Sequence, residues 1–232
     1  MNISEIPIKV LGISGSPRKQ GNTEIMLENA LEGARSVGEV ETIMYSLAGK
    51  NFNGCIFCNR CKETGRCCLK DDFNELFDLW LEADGLLYAT PIFHMMVTSQ
   101  LKAFIDRLGH VLFAYFNRTV PRFSKAGGVL SQGTAPYGGQ EIALQYLVMH
   151  LMTVNCIPVS GDTPGSYVGA AGISKTWERG SIKDCPEALE TAYNVGQKVA
   201  EMAKVIKVGK EAIENMPIEY DYISVKERGD RS

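Results

Sequence analysis

Two hydrophobic periods alternate along this chain, and that alternation restricts the fold more than any other feature. Short, mostly apolar runs at 6–13, 40–47, 85–89, 127–130 and 156–160 have the length of strands. Between them apolar residues recur at three and four: Leu27, Ala30, Leu31 and Ala34, then Leu76, Leu79 and Trp80, then Leu101, Phe104, Ile105 and Leu108. Ala143, Leu147 and Leu151 continue the scheme, and Ala192, Val195, Val199, Met202 and Ile206 close it. Strands too apolar to face water on one side, each followed by a helix, predict a parallel sheet covered on both faces.

Five such strands suit a flavodoxin-like, doubly wound α/β sheet in the order 2-1-3-4-5. At 232 residues, with roughly 150 per domain, the chain predicts one domain with appendages. That domain is expected at 1–210, with a cysteine-rich loop, 50–70, inserted after the second strand and a polar tail at 211–232. In the tail Tyr220, Tyr222 and Val225 are spaced as an arm could be, although a frayed terminus is the simpler expectation. With 24 basic and 27 acidic residues the net charge is −3, which lacks the basic excess of nucleic-acid binders. No run approaches the roughly 20 apolar residues that cross a bilayer, and Glu5 and Pro7 stand where a secretory signal would be basic and then apolar. No nucleic acid, no membrane and a cytoplasmic location are therefore expected.

In open parallel sheets ligands sit at the carboxyl ends of the strands. The first such loop, 14–23, offers hydroxyls, backbone donors freed by Gly15 and Gly21, the guanidinium of Arg18 and the start of a helix, a combination suited to phosphate. Its glycine spacing is neither that of a Walker loop nor Gly-x-Gly-x-x-Gly, so nucleoside triphosphates and a dinucleotide bound in the Rossmann manner are disfavoured. The loop at 91–97 is apolar where a surface loop is usually polar, which suits a flat ring, the core or a subunit interface equally. The loop at 131–141 is rich in small residues and polar donors.

Seven cysteines are present, five of them between Cys55 and Cys68, too crowded for a disulfide framework. Cys55-x2-Cys58-x2-Cys61 can wrap one face of an iron-sulfur cubane, and a fourth thiolate from the next turn completes a four-cysteine set. Zinc more often takes two separated Cys-x2-Cys knuckles, which are lacking; free or redox-active thiols are the remaining alternative. Asp72 and Glu75 have the spacing of a capping box, and Asp71 and Asp72 are most simply helix-start residues. Cys156 and Cys185 are expected to be inert.

Gly-Ser-Pro-Arg-x-x-Gly-Asn-Thr at 15–23, Thr-Pro-Ile-Phe at 90–93, Gln-Leu-Lys-Ala-Phe-Ile-Asp-Arg at 100–107 and Gly-Gly-Gln-Glu at 138–141 resemble the NADPH-dependent FMN reductase family over residues 6 to about 205. The cysteine motif, with Gly65-x-Cys67-x-x-x-Asp71-Asp72, is similar to that of the iron-sulfur flavoprotein branch. The resemblance implies that Ser14, Ser16, Arg18, Asn22 and Thr23 bind the FMN phosphate, that Pro91, Ile92, Phe93 and His94 line the flavin ring, and that Gly133, Thr134 and Gly138 close over it. It also implies a [4Fe-4S] cluster on Cys55, Cys58, Cys61 and Cys67, with Cys68 a substitute or bystander. His94-Met95-Met96 departs from the commoner aromatic-glycine-small pattern. Homodimers or homotetramers are implied, with the cluster of one subunit close to the flavin of another.

The expected activity is electron transfer by an FMN-dependent oxidoreductase in which the cofactors carry the chemistry and no side chain is assigned as catalytic. The redox partner, ferredoxin or NAD(P)H, is not identified by any nicotinamide-like motif. One alternative is an NAD(P)H-dependent FMN or quinone reductase without a cluster. Another is a non-catalytic metal-binding or partner-binding module, for which Trp177 could serve as a contact, although a packed loop tryptophan is the simpler expectation.

Overall fold

The computed structural model describes residues 2–118, 120–162 and 164–214. Among them six strands run parallel in one sheet: β1 (Ile8–Ser14), β2 (Val40–Ser46), β3 (Gly85–Pro91), β4 (Ala126–Gly133), β5 (Ile157–Pro158) and β6 (Ala170–Ile173). Their order is β2-β1-β3-β4-β5, as the alternation of periods predicts. The outer edge of β4 is shared. β5 pairs only with Ala126 and Gly127, and β6 takes over from Leu130 to Gly133. The expected fifth strand at 156–160 is thus cut to two residues, and β6 was not legible. Its sequence, Ala-Ala-Gly-Ile, is small rather than apolar because a Cβ on Gly172 would stand 2.9 Å from Ile182 and 3.2 Å from Ala188.

The helices are α1 (Asn22–Arg35), the single turn α2 (Cys61–Thr64), α3 (Phe73–Glu82), α4 (Ser99–Tyr115), α5 (Gln140–Thr153) and α6 (Pro186–Ala212). Period-two alternation within the strands sorts their side chains between two cores. Ile8, Val10, Leu87, Ala89 and Leu130 point to one face, where α1 and α6 cover them. Leu11, Ile13, Leu86, Tyr88 and Val129 point to the other, under α3, α4 and α5. The predicted helical faces agree: Leu27, Ala30, Leu31, Ala34, Leu101, Phe104, Ile105, Leu108, Leu147 and Val195 are all buried. α6 runs two residues into the segment expected as tail; Tyr220, Tyr222 and Val225 lie outside the described residues.

α3 starts differently from the expectation. Asp72 occupies the N-cap but makes no capping bond; its carboxylate accepts from the Asn51 amide at 2.7 Å and from Lys50 Nζ at 3.2 Å. Glu75 is drawn to Lys50 and Tyr45 instead of reaching back, so the capping box is replaced by an ion cluster that closes the cysteine-rich loop.

Where α1 and α6 cross, backbone meets backbone. A Cβ on Gly196 would stand 1.7 Å from the Ala30 carbonyl oxygen, and one on Gly33 2.0 Å from that of Tyr193. On the opposite face Trp80 Nε1 donates to the Tyr88 hydroxyl at 2.8 Å, and His150 Nε2 lies 3.2 Å from that hydroxyl. Burial drives the His150 imidazole down to about 3.

Two outcomes follow from these contacts. Gly196→Ala is expected to destabilise the fold by about 1–3 kcal/mol through overpacking, seen as a lower urea midpoint at unchanged slope. The unfolded His150 binds a proton near 6.5 and the folded one only near 3, so the unfolded state holds more protons in between. Stability is therefore complete above about 6.5 and falls with pH below it, by roughly 2 kcal/mol from pH 7 to pH 5, and His150→Leu should remove that part of the slope.

Candidate functional site

The loops after β1, β3, β4 and β6 meet at one end of the sheet around a cleft of about 250 Å³. The β1 loop is held in place by its backbone: the Gly15 amide donates to the Ala89 carbonyl at 2.8 Å, and Thr98 Oγ1 donates to the Gly15 carbonyl at 2.7 Å. Thr98 also accepts from the Leu101 amide, so the residue that caps α4 fastens α4 to this loop. α1 opens behind Gly21, which supplies no side-chain cap, and the amides of its first turn therefore meet the cleft without a side-chain partner. Ser16, Arg18, Asn22 and Thr23 line this part.

Pro91, Ile92 and Phe93 form the apolar wall, and Gln132, Gly133 and Thr134 the third side. Gln132 spans it, donating to Thr23 Oγ1 at 3.3 Å and accepting from Ser174 Oγ at 2.9 Å. Beyond Phe93 the chain reverses in a tight turn, with reciprocal Phe93–Met96 backbone bonds of 2.9 and 3.0 Å and left-handed φ angles of 46° at His94 and 69° at Met95. Two bulky residues in that region cost on the order of 1 kcal/mol each. The turn packs so close to Gly139 that a Cβ there would stand 2.6 Å from Met95 Cα.

Three expected residues stand outside the cleft wall. Ser14 is fully buried and its hydroxyl accepts the Ser16 amide, so it shapes the loop from beneath. His94 is exposed on the tight turn, with a left-handed backbone, and does not line the cleft. Gly138 packs on the Ala135 carbonyl, 2.9 Å from where its Cβ would be. Asn22 lines the cleft but spends its amide elsewhere: Nδ2 donates to the Glu178 carbonyl and Ser181 Oγ, both at 3.0 Å, and Oδ1 accepts from the Gly180 amide at 2.8 Å. Arg18 Nη1 likewise donates to the Trp177 carbonyl at 2.7 Å. The segment 174–182 is thereby latched across the cleft, and Trp177, expected to pack in its loop, is 79% exposed at the cleft margin. Pro17, Gly21, Gln132, Ser174 and Trp177 line the cleft beyond the expected site residues; the first three lie in loops expected to meet a ligand, whereas Ser174 and Trp177 follow β6, which was itself unseen.

Between β2 and α3 the second loop winds through left-handed turns at Phe57, Asn59 and Gly65. Cys55, Cys58, Cys61, Cys67 and Cys68 all border one small cavity of about 20 Å³, backed by Arg107, His110 and Val111 of α4. Cys61 is buried, Cys67 half-buried and the others exposed. Cys58 Sγ lies 3.5 Å from Cys68 Sγ. The Arg60 amide and the Cys68 thiol lower the Cys58 thiol, whereas burial raises that of Cys61. No three His, Cys, Asp or Glu among the described residues converge on a single-ion site. Away from the cavity, burial pushes the Cys156 thiol up to about 12, in keeping with an inert role.

Arg107 ties this loop to the fold. It is 1% exposed and grips Asp71 with both terminal nitrogens, Nη1 to Oδ2 at 2.6 Å and Nη2 to Oδ1 at 2.9 Å. Nη1 also donates to the Asn53 carbonyl at 3.2 Å, Nη2 to Cys67 Sγ at 3.1 Å, and the guanidinium lies 4.3 Å from the centre of the Phe73 ring. Burial alone would raise the Asp71 carboxyl, but the Arg107 and Asn53 hydrogen bonds outweigh it and hold the group at about 2.

The sequence pattern of the NADPH-dependent FMN reductase family matches residues 8–166. An iron-sulfur flavoprotein of Methanocaldococcus jannaschii is 38% identical over 200 residues, covering 86% of this chain and 100% of the relative. One from Archaeoglobus fulgidus is 32% identical over 193 residues, 83% of this chain and 96% of its own. Among solved structures, the flavodoxin, WrbA-like protein from Agrobacterium tumefaciens superposes with a TM-score of 0.57 at 20% identity, covering 85% of this chain and 98% of its own, a likeness of fold. No helix among the described residues is long and apolar enough to cross a membrane.

Asn22→Ala should release the 174–182 latch. The expected cost is about 1 kcal/mol, the net worth of hydrogen bonds to half-buried and exposed partners, and limited trypsin digestion should cut faster after the exposed Lys175 and Arg179.

Proposed function

The chain belongs to the NADPH-dependent FMN reductase family, which makes it an FMN-dependent oxidoreductase, and we propose that it also carries a [4Fe-4S] cluster and works as an electron-transfer iron-sulfur flavoprotein. The observation that carries this reading is the gathering of the Cys55, Cys58, Cys61 and Cys67 thiols around one cavity. A cubane takes one thiolate at each of four irons, and four thiols bordering one cavity supply that number of ligands.

For FMN the cleft offers the chemistry that the phosphate and the ring require. The uncapped first turn of α1 presents amides and the positive end of its dipole, with the hydroxyls of Ser16 and Thr23 and the Arg18 guanidinium beside it. Asn22 contributes by holding the latch, and Ser14 by shaping the loop. Pro91, Ile92 and Phe93 supply an apolar wall for the ring, while Gly133 and Thr134 let backbone approach it. The outer edge of the ring would lie toward Phe93 and Trp177, which line the cleft and are exposed, where a redox partner can reach it.

Bound FMN exchanges two electrons as hydride or one at a time and the cluster exchanges one, so together they convert between the two kinds of traffic. The protein's own work is positional: the latch and the apolar wall would shield the inner part of the ring from water, and the 50–72 loop, pinned by Arg107, fixes the thiols. Ferredoxin and NAD(P)H are the proposed classes of redox partner. A homodimer or homotetramer is proposed from the exposed Ile56 and Phe57 beside the cysteines and Met95, Met149 and Met152 elsewhere on the surface.

The test is anaerobic purification with iron, sulfide, zinc and FMN measured per chain and a visible spectrum. About four irons and one FMN are expected. Cys61→Ala and Cys67→Ala should lose the iron and keep the flavin, and Cys68→Ala should keep both. FMN without iron in the parent would leave a plain flavin or quinone reductase; zinc without flavin would overturn both readings.

A further inference from the structure

Arg107 is placed oddly for a residue that merely fills a core. It sits on α4, is 1% exposed, and divides its donors between a carboxylate, a backbone carbonyl and the sulfur of Cys67. Its Nε is buried without a partner, so the guanidinium is not placed to satisfy every donor. Its two terminal nitrogens are spent instead on fixing the position of the fork: Asp71 is gripped from both, with Phe73 stacked on the plane. The outcome of that fixing is one N–H aimed at the half-buried Cys67 Sγ at 3.1 Å, from a guanidinium whose own side chain is sealed from solvent.

On the cluster reading proposed above, on which this rests, we infer that Arg107 is a positioning residue that raises the reduction potential of the cluster by holding a buried positive charge and an N–H donor on the sulfur of Cys67, with Asp71 setting both its orientation and the size of the effect. One-electron reduction adds a negative charge to the cluster and its thiolates. A fixed cation and hydrogen bond at a ligand sulfur favour that more negative state, and both belong among the means by which proteins set such potentials. Asp71 opposes part of the effect because its own charge lies beside the guanidinium. Only an arginine fork can reach the carboxylate with two nitrogens and still present one of them to sulfur, so lysine is not equivalent here.

The two partners therefore make predictions of opposite sign, which a structural prop would not. In an anaerobic redox titration followed by electron paramagnetic resonance, with iron counted on the same samples, Arg107→Gln should shift the cluster midpoint downward. The expected size is at least a tenfold change in the reduced-to-oxidised ratio at fixed potential, or 59 mV for one electron. Asp71→Asn, which keeps the cation and removes its neutraliser, should shift it upward. If Arg107→Gln does not fold, Arg107→Lys takes its place, with a smaller downward shift. Parent-like potentials in iron-replete variants, shifts of the same sign in both, or loss of iron from Asp71→Asn and Arg107→Lys alike would overturn the inference. A parent chain without iron would fail the cluster reading and this inference with it, whereas an iron-loaded parent indifferent to both charges overturns this inference alone.

Discussion

Burial of the sheet on both faces is the constraint from which the rest follows. With α1 and α6 on one side and α3, α4 and α5 on the other, β1 and β3 have no surface left for polar chemistry. The strand ends alone are free, and parallel strands deliver all their carboxyl ends to one rim. That is why loops 14–23, 91–97 and 131–139 meet although more than a hundred residues separate the first from the last. The central strands then need little of their loops beyond backbone bonds such as Gly15 to Ala89 to hold the cleft in register.

The cysteine loop does not rest on the sheet; it packs Phe52 and Cys61 against the α4 side of the core and is pinned there by charge. A buried ion pair is costly to desolvate and seldom a net source of stability. The Arg107–Asp71 pair is better understood as a device of specificity: fully paired it fixes Asn53, Cys67 and the start of α3 in one arrangement, and half-paired it would leave a buried charge alone. Lys50, with Asp72 and Glu75, closes the loop at its more exposed mouth, where the same chemistry is weaker through solvent screening.

What was legible in the sequence is what periodicity and spacing record. The strands, both helical faces and the cysteine spacing are runs and intervals written locally, and the strand order follows from the fold class that the alternation implies. What was missed depends on distant partners. β6 is invisible because packing against Ile182 and Ala188 demands small residues, and small residues carry no hydrophobic period. Asn22 reads as a ligand residue until Gly180 and Glu178, more than 150 positions away, are seen to claim both ends of its amide. Asp72 and Glu75 fit a capping box by spacing, and only the nearness of Lys50 turns them to another use.

α4 connects the two halves of the molecule's chemistry as a rod of fixed length and phase. Its cap, Thr98, is fastened to the β1 loop, and Arg107 lies nine positions later under Cys67. At 1.5 Å per residue the two fastenings are about 14 Å apart along the axis, a separation that a helix can neither stretch nor shorten. Evolution can therefore exchange surface residues on this helix freely but cannot change their number between those points. One residue inserted or deleted would turn everything beyond it by about 100° and swing the guanidinium from under the cysteines toward a neighbouring face.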